Sequence, residues 1–198
     1  MNKLATWQLV FCPVDVNWVP SSTAVLIEHF AHLGLLAEPV PGSEATEFYI
    51  GDHFLQYISF MGCAPAVQFK AEANNLESTS FIHWHVSPAL PQPRWIIDPQ
   101  HGLPRCHACQ VRIDNWREQI PNIAEPPATT RVHCPHCQRQ NTLLELDWRQ
   151  AAGYARQFVS VVNIYPKEAL PTDALLHQLG HKTGVTWRFF YCQRTQII

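Results

Sequence analysis

The sequence predicts an α+β fold: an antiparallel sheet with helices on one face, formed by the two ends of the chain, with a module inserted between them. Three observations carry that expectation. Residues 1–102 and 149–198 share the order strand, proline, loop, capping residues, helix, whereas residues 103–148 break it with four cysteines and a proline-rich loop. The chain has 198 residues, 46% hydrophobic and 15% charged, which is enough to bury a core and too apolar for a disordered chain. Sixteen prolines against eight glycines, with seven tryptophans, point to rigid turns and large apolar side chains.

The elements follow in order. Thr6–Cys12 is rich in β-formers and stops at Pro13, so it reads as a strand; Pro20-Ser21-Ser22 then caps the apolar-periodic stretch Thr23–Leu35, a helix. Glu47–Ile50 is a short strand, Phe54–Phe60 fits either strand or helix, and Phe81–Val86 and Trp95–Ile97 are further strands. Beyond the module, Phe158–Tyr165 is a strand ended by Pro166. Pro171-Thr172-Asp173 opens a helix to about Lys182, and Val185–Cys192 is a closing strand. The two strand-proline-helix stretches form a weak structural repeat.

Charge and hydropathy exclude several classes. Residues 1–100 carry three Lys/Arg against nine Asp/Glu and the remainder eleven against seven, an asymmetry that suits two halves of one domain better than a phosphate-binding surface. No apolar run reaches the roughly 18 residues of a membrane span. The longest, Ile58–Val67, is broken by Ser59, Gly62 and Pro65. The stretch LATWQLVFC before Pro13 is too short for a lipoprotein leader and carries Gln8, so a cytoplasmic protein with no membrane contact is expected.

The most specific signal is a pair of C-x2-C turns, Cys106-His107-Ala108-Cys109 and Cys134-Pro135-His136-Cys137, separated by 24 residues. Each such turn presents two sulfurs from one short arc, and two turns facing each other supply the four soft ligands that tetrahedral zinc prefers. Residues 103–148 thus resemble a zinc ribbon. The resemblance implies a short antiparallel sheet around one structural Zn2+, with Cys106, Cys109, Cys134 and Cys137 as ligands. Ribbon knuckles often place glycine after the second cysteine, where Gln110 and Gln138 stand here. Cys134-Pro135-His136-Cys137 alone is also similar to the active-site sequence of thiol oxidases with the thioredoxin fold. Those enzymes follow the motif with a long helix, whereas residues 138–146 read as a turn and a strand.

Other reactive residues carry weaker signals. Cys12, Cys63 and Cys192 are expected to be buried hydrophobes, with a nucleophilic Cys63 as the lesser alternative. His83 and His85 flank Trp84 and share one strand face, a metal-capable geometry for which His101 and Asp98 are candidate third ligands. A half-wet strand face is the plainer expectation. His177 and His181 have the H-x3-H spacing of zinc proteases, but Gln178 stands where the general base belongs, so a solvated helix face is expected. The common Gly-rich nucleotide loops and the G-x-S-x-G elbow do not occur.

Three function classes remain. A closed four-cysteine site leaves zinc no open position, which favours a non-catalytic binding or adaptor protein whose partner is another protein. Its expected recognition surface is the arm Val111–Val132, with Trp116, Arg112, Arg117 and Arg131, residue types enriched at binding hot spots. The second class is a nucleic-acid-associated ribbon, against which residues 103–148 balance five Arg with five Asp/Glu. The third is an enzyme with a histidine-containing site outside the ribbon; no catalytic residue is assigned.

Overall fold

A computed structural model of the chain describes residues 6–43, 46–61, 81–98, 101–120 and 126–193. Cys63 lies outside these described residues. The element order among them is β1 (Trp7–Pro13), α1 (Thr23–His32), β2 (Leu36–Pro39), β3 (Glu47–Ile50), α2 (Phe54–Tyr57), β4 (Ile58–Phe60), β5 (His83–Val86) and β6 (Arg94–Ile97). A 3-10 turn (Arg117–Gln119) follows, then β7 (Arg131–His133), β8 (Gln140–Thr142), β9 (Ala152–Ala155), β10 (Val159–Val162), β11 (Ala169–Pro171), α3 (Asp173–Thr183) and β12 (Trp187–Gln193). Strands dominate, helices are few, and the sheets are antiparallel.

The main sheet has six strands in the order β12-β1-β10-β5-β3-β2, so strands from both ends of the chain interleave, β1 lying between β10 and β12. Period-two alternation divides its side chains into two sets. Leu9, Phe11, Trp84, Val86, Val159 and Val161 join one core with Leu26 and Phe30 of α1 and Leu175 and Leu179 of α3. Each such side chain contributes about 1.5–3 kcal/mol on burial. The alternate residues Val10, Cys12, Phe190 and Cys192 pack instead with Ile96 and Ala155 of the β6–β9 hairpin.

Local chemistry sets the boundaries. The Ser22 and Thr172 hydroxyls accept from the amides of Val25 and Leu175, capping the two longer helices. Gly184 closes α3 with φ 74°, the left-handed cap for which glycine is favoured. Helix α1 stops at His32 rather than at Leu35: Leu33, Leu35 and Leu36, apolar enough to extend the helical pattern, enter the core as the chain turns into β2. The ambiguous Phe54–Phe60 is split, one turn of helix leading into β4, which pairs with β11.

The β6–β9 hairpin has two working faces. Ile96 and Ala155 face the sheet, while Trp95, Ile97 and Ala152 pack with the cysteine-bearing segment. Approach to the sheet is close: a β-carbon at Gly153 would overlap the Phe190 ring.

Candidate metal centre

Both C-x2-C turns have the same backbone. The Cys106 amide donates to the Val111 carbonyl (2.9 Å) and the Gln110 amide donates back to the Cys106 carbonyl (2.9 Å). In the second turn the Cys134 amide donates to the Arg139 carbonyl (2.9 Å) and the Gln138 amide to the Cys134 carbonyl (3.1 Å). Gln110 and Gln138 take the left-handed conformation, φ 60° and 63°. That conformation costs a non-glycine residue roughly 1–2 kcal/mol. Each glutamine offsets part of it with its own side chain: Gln110 Nε2–H donates to the His107 carbonyl and Gln138 Nε2–H to the Pro135 carbonyl, both at 3.1 Å. The knuckle geometry therefore survives without glycine.

These turns bring the four cysteine sulfurs within 4.8 Å of one another. Cys106 and Cys137 are 3.6 Å apart, as are Cys109 and Cys134. Four sulfurs about 2.3 Å from a tetrahedral zinc stand about 3.8 Å apart, so the residues present fit a metal ion of that kind. Cys106 and Cys134 are buried and Cys137 is exposed. Burial alone would raise the Cys106 thiol, but the amides of Cys109 and Ala108 and the neighbouring sulfurs of Cys137 and Cys109 outweigh it and lower it to about 6. At Cys109 the Val111 amide favours the thiolate, yet burial and the three other sulfurs prevail and push it up to about 12. Metal ligation takes the cysteines as thiolates, so binding of a divalent cation here would release protons.

A small core supports the site. Ile113, Trp116, Ile120, Val132, Leu143 and Trp148 surround Cys106 and Cys134. Trp116 meets Trp148 edge-on at 4.9 Å between ring centroids. Two polar residues that the sequence did not single out complete it. Buried Asn141 presents Oδ1 to the Cys106 sulfur at 3.6 Å and donates from Nδ2 to the Arg139 carbonyl. Gln119 behaves as an extra strand neighbour, its Oε1 accepting from the His133 amide (2.7 Å) and its Nε2–H donating to the His133 carbonyl.

The expected recognition surface needs correction. Trp116 is 1% exposed and its indole N–H donates to the Gly102 carbonyl at 2.9 Å, so it belongs to the core and not to a docking face. Arg117 is a brace, its guanidinium 4.5 Å over the Trp116 ring and Nη2 donating to the Asp98 carbonyl. Arg112 and Arg131 do face solvent. Arg112 pairs with Asp114 at 2.5 Å and Arg131 donates to Gln140 Oε1 at 3.1 Å.

The histidines are dispersed. His107, His133 and His136 beside the knuckles are exposed, as are His177 and His181 on α3. His83, His85 and His101 are not gathered into one site: among the described residues the four cysteines are the group of His, Cys, Asp and Glu whose ligand atoms converge. His101 lies apart, exposed, with its ring 5.3 Å from that of Trp7 and Nδ1 3.1 Å from Oδ1 of buried Asp98. Cys12 and Cys192 are buried, and burial pushes the Cys192 thiol up to about 12.

Among the described residues no helix is long and apolar enough to cross a membrane. The geometry is compatible with a zinc-ribbon-like site. No protein-family model, curated protein or solved structure matches the chain.

Proposed function

We propose that the protein is a zinc-dependent adaptor. Residues 103–148 act as a ribbon module inserted between segments 1–102 and 149–198, held by one structural Zn2+ on Cys106, Cys109, Cys134 and Cys137. The observation that carries this reading is the convergence of four sulfurs from two knuckles of identical backbone. A four-thiolate set leaves zinc no position for substrate or activated water, so the metal maintains shape.

The shape presents Arg112 and Arg131 on the exposed side of the module to another protein. Both are oriented by neighbours rather than free in solvent, which lowers the entropy of engaging a partner. Against a phosphate backbone as the partner stand the carboxylates already on two arginines, Asp114 on Arg112 and Asp147 on Arg149.

Metal analysis of purified protein tests the first step. Zinc in the ribbon is expected, and a metal-free protein with Cys134 disulfide-linked to Cys137 contradicts it. The second step is tested by capture from extract with the Arg112→Ala, Arg131→Ala double variant, which is expected to lose the partner while keeping its zinc and melting temperature. Capture unchanged in that variant, or salt-sensitive retention on a polyanion column that the double variant abolishes, replaces the adaptor reading.

A further inference from the structure

We infer that Cys137 is the residue at which hydrogen peroxide acts on the ribbon, and that its oxidation ends in a disulfide to Cys106 that opens the metal centre. This regulation rests on the zinc reading above and adds a redox control to the same four sulfurs.

The sulfurs share a centre but not an environment. Cys106 and Cys134 are buried, Cys109 is half-buried and Cys137 is exposed, within an exposed run at residues 135–140. Oxidation of a cysteine follows its thiolate character and its access to the oxidant. Metal ligation takes all four as thiolates, so access is what separates them. Cys12 and Cys192 do not compete, because both are buried and burial raises both thiols.

The partner follows from the distances. The Cys137 sulfur lies 3.6 Å from that of Cys106, across the two knuckles, and the Cys109 sulfur lies 3.6 Å from that of Cys134. Cys134, which shares a turn with Cys137, thus already faces Cys109. A disulfide bond is about 2.0 Å long, so the Cys106 and Cys137 sulfurs need to approach by about 1.5 Å. That movement falls to Cys137, since Cys106 is packed in the module's core.

The chemistry is a two-electron exchange. The Cys137 thiolate attacks a peroxide oxygen, the O–O bond breaks, and the products are a sulfenic acid on Cys137 and a hydroxide ion. The Cys106 thiolate then attacks the sulfenic sulfur, the S–O bond breaks, and a second hydroxide leaves as the S–S bond forms. Two thiolates have lost two electrons, and the peroxide has gained them. Cys109 and Cys134 remain, half of the ligand set that a structural zinc requires.

The test treats full-length, zinc-loaded protein with hydrogen peroxide, reads free zinc with a chromogenic chelator and maps disulfides by peptide mass spectrometry after alkylation. Wild type is expected to release its zinc as two thiols disappear, with Cys106 linked to Cys137, and a dithiol reductant with added zinc should restore the site. Cys137→His keeps a fourth ligand, in a three-cysteine, one-histidine set, and removes the oxidised sulfur. It should hold zinc and release it to peroxide at least tenfold more slowly than wild type. Where that variant binds no zinc, limiting maleimide on wild type decides, and Cys137 should be the first of the four cysteines labelled. Zinc retained under peroxide, a disulfide between any other pair, release from Cys137→His at the wild-type rate, or another ligand labelled first overturns the inference and leaves the zinc reading standing. Protein that carries no zinc at the outset overturns both.

Discussion

Trp84 and Trp116 are both buried, yet the regions around them are held together differently. Trp84 sits among Phe11, Phe30 and Phe54, in a core that extends across the main sheet and two helices. Trp116 sits among a few aliphatic side chains, Trp148 and two cysteine sulfurs, with its indole N–H tied to the Gly102 carbonyl. The first environment has apolar area enough to fold by hydrophobic burial. The second is a thin layer between the knuckles and the β6–β9 strand pair, and a cluster of that size ordinarily needs a staple. Metal dependence should therefore be confined to one side of the β6–β9 hairpin.

Removing the metal has the largest expected effect. Structural zinc sites contribute apparent binding energies of about 10–16 kcal/mol that are folding energy for their module. Chelation, or Cys106→Ser, should expose Trp116 and Trp148 and abolish amide protection in β7 and β8. Protection in β1 and β10 should remain. Hydrogen exchange resolved by segment checks this, and simultaneous loss in both regions would break the contrast.

The two tryptophans themselves come next. Truncation to alanine should cost about 3–5 kcal/mol at either site, but the losses should appear in different measurements. Trp84→Ala should lower the denaturant midpoint of the sheet with metal affinity unchanged. Trp116→Ala should weaken metal retention in a chelator competition, with a smaller change in the sheet.

The sheet should show a pH effect of its own at alkaline pH. Tyr191 O–H donates to the Ala169 carbonyl at 2.6 Å, and burial, opposed by a weaker contribution from the Lys167 amide, pushes its phenol from 10 up to about 12. A raised folded-state value means that the stabilisation is fully present below pH 10 and is lost as pH rises through about 12. Alkaline unfolding monitored at the sheet should flatten over that interval in Tyr191→Phe. An unchanged profile would remove Tyr191 from the account.

The smallest expected effect lies in the knuckles. Gln110→Gly relieves the left-handed strain and loses the bond to the His107 carbonyl, terms of about 1 kcal/mol each and opposite sign. Gln110→Ala keeps the strain and loses the bond, so it should be the less stable of the two in calorimetry of the metal-loaded protein.

What the sequence made legible follows the same division. Cysteine spacing gave the sulfur cluster, because ligand chemistry acts through a few residues at fixed separation. Proline stops and hydroxyl caps located β1, α1, α3 and β12 to within a few residues. Strand β9, Ala152–Ala155, had no such signal, since Ala and Gly are poor β-formers and it is their small size against Phe190 that places them there. Trp116 was misread as exposed on residue type alone. Its spacing from Ile113 and Ile120, three and four residues, was the available sign of an inward face.

The most direct test of a closed, structural zinc centre is X-ray absorption at the zinc edge on the purified protein. The account predicts a shell of four sulfurs at about 2.3 Å with no nitrogen or oxygen ligand. A shell containing nitrogen or oxygen, or protein that carries no zinc, would contradict it.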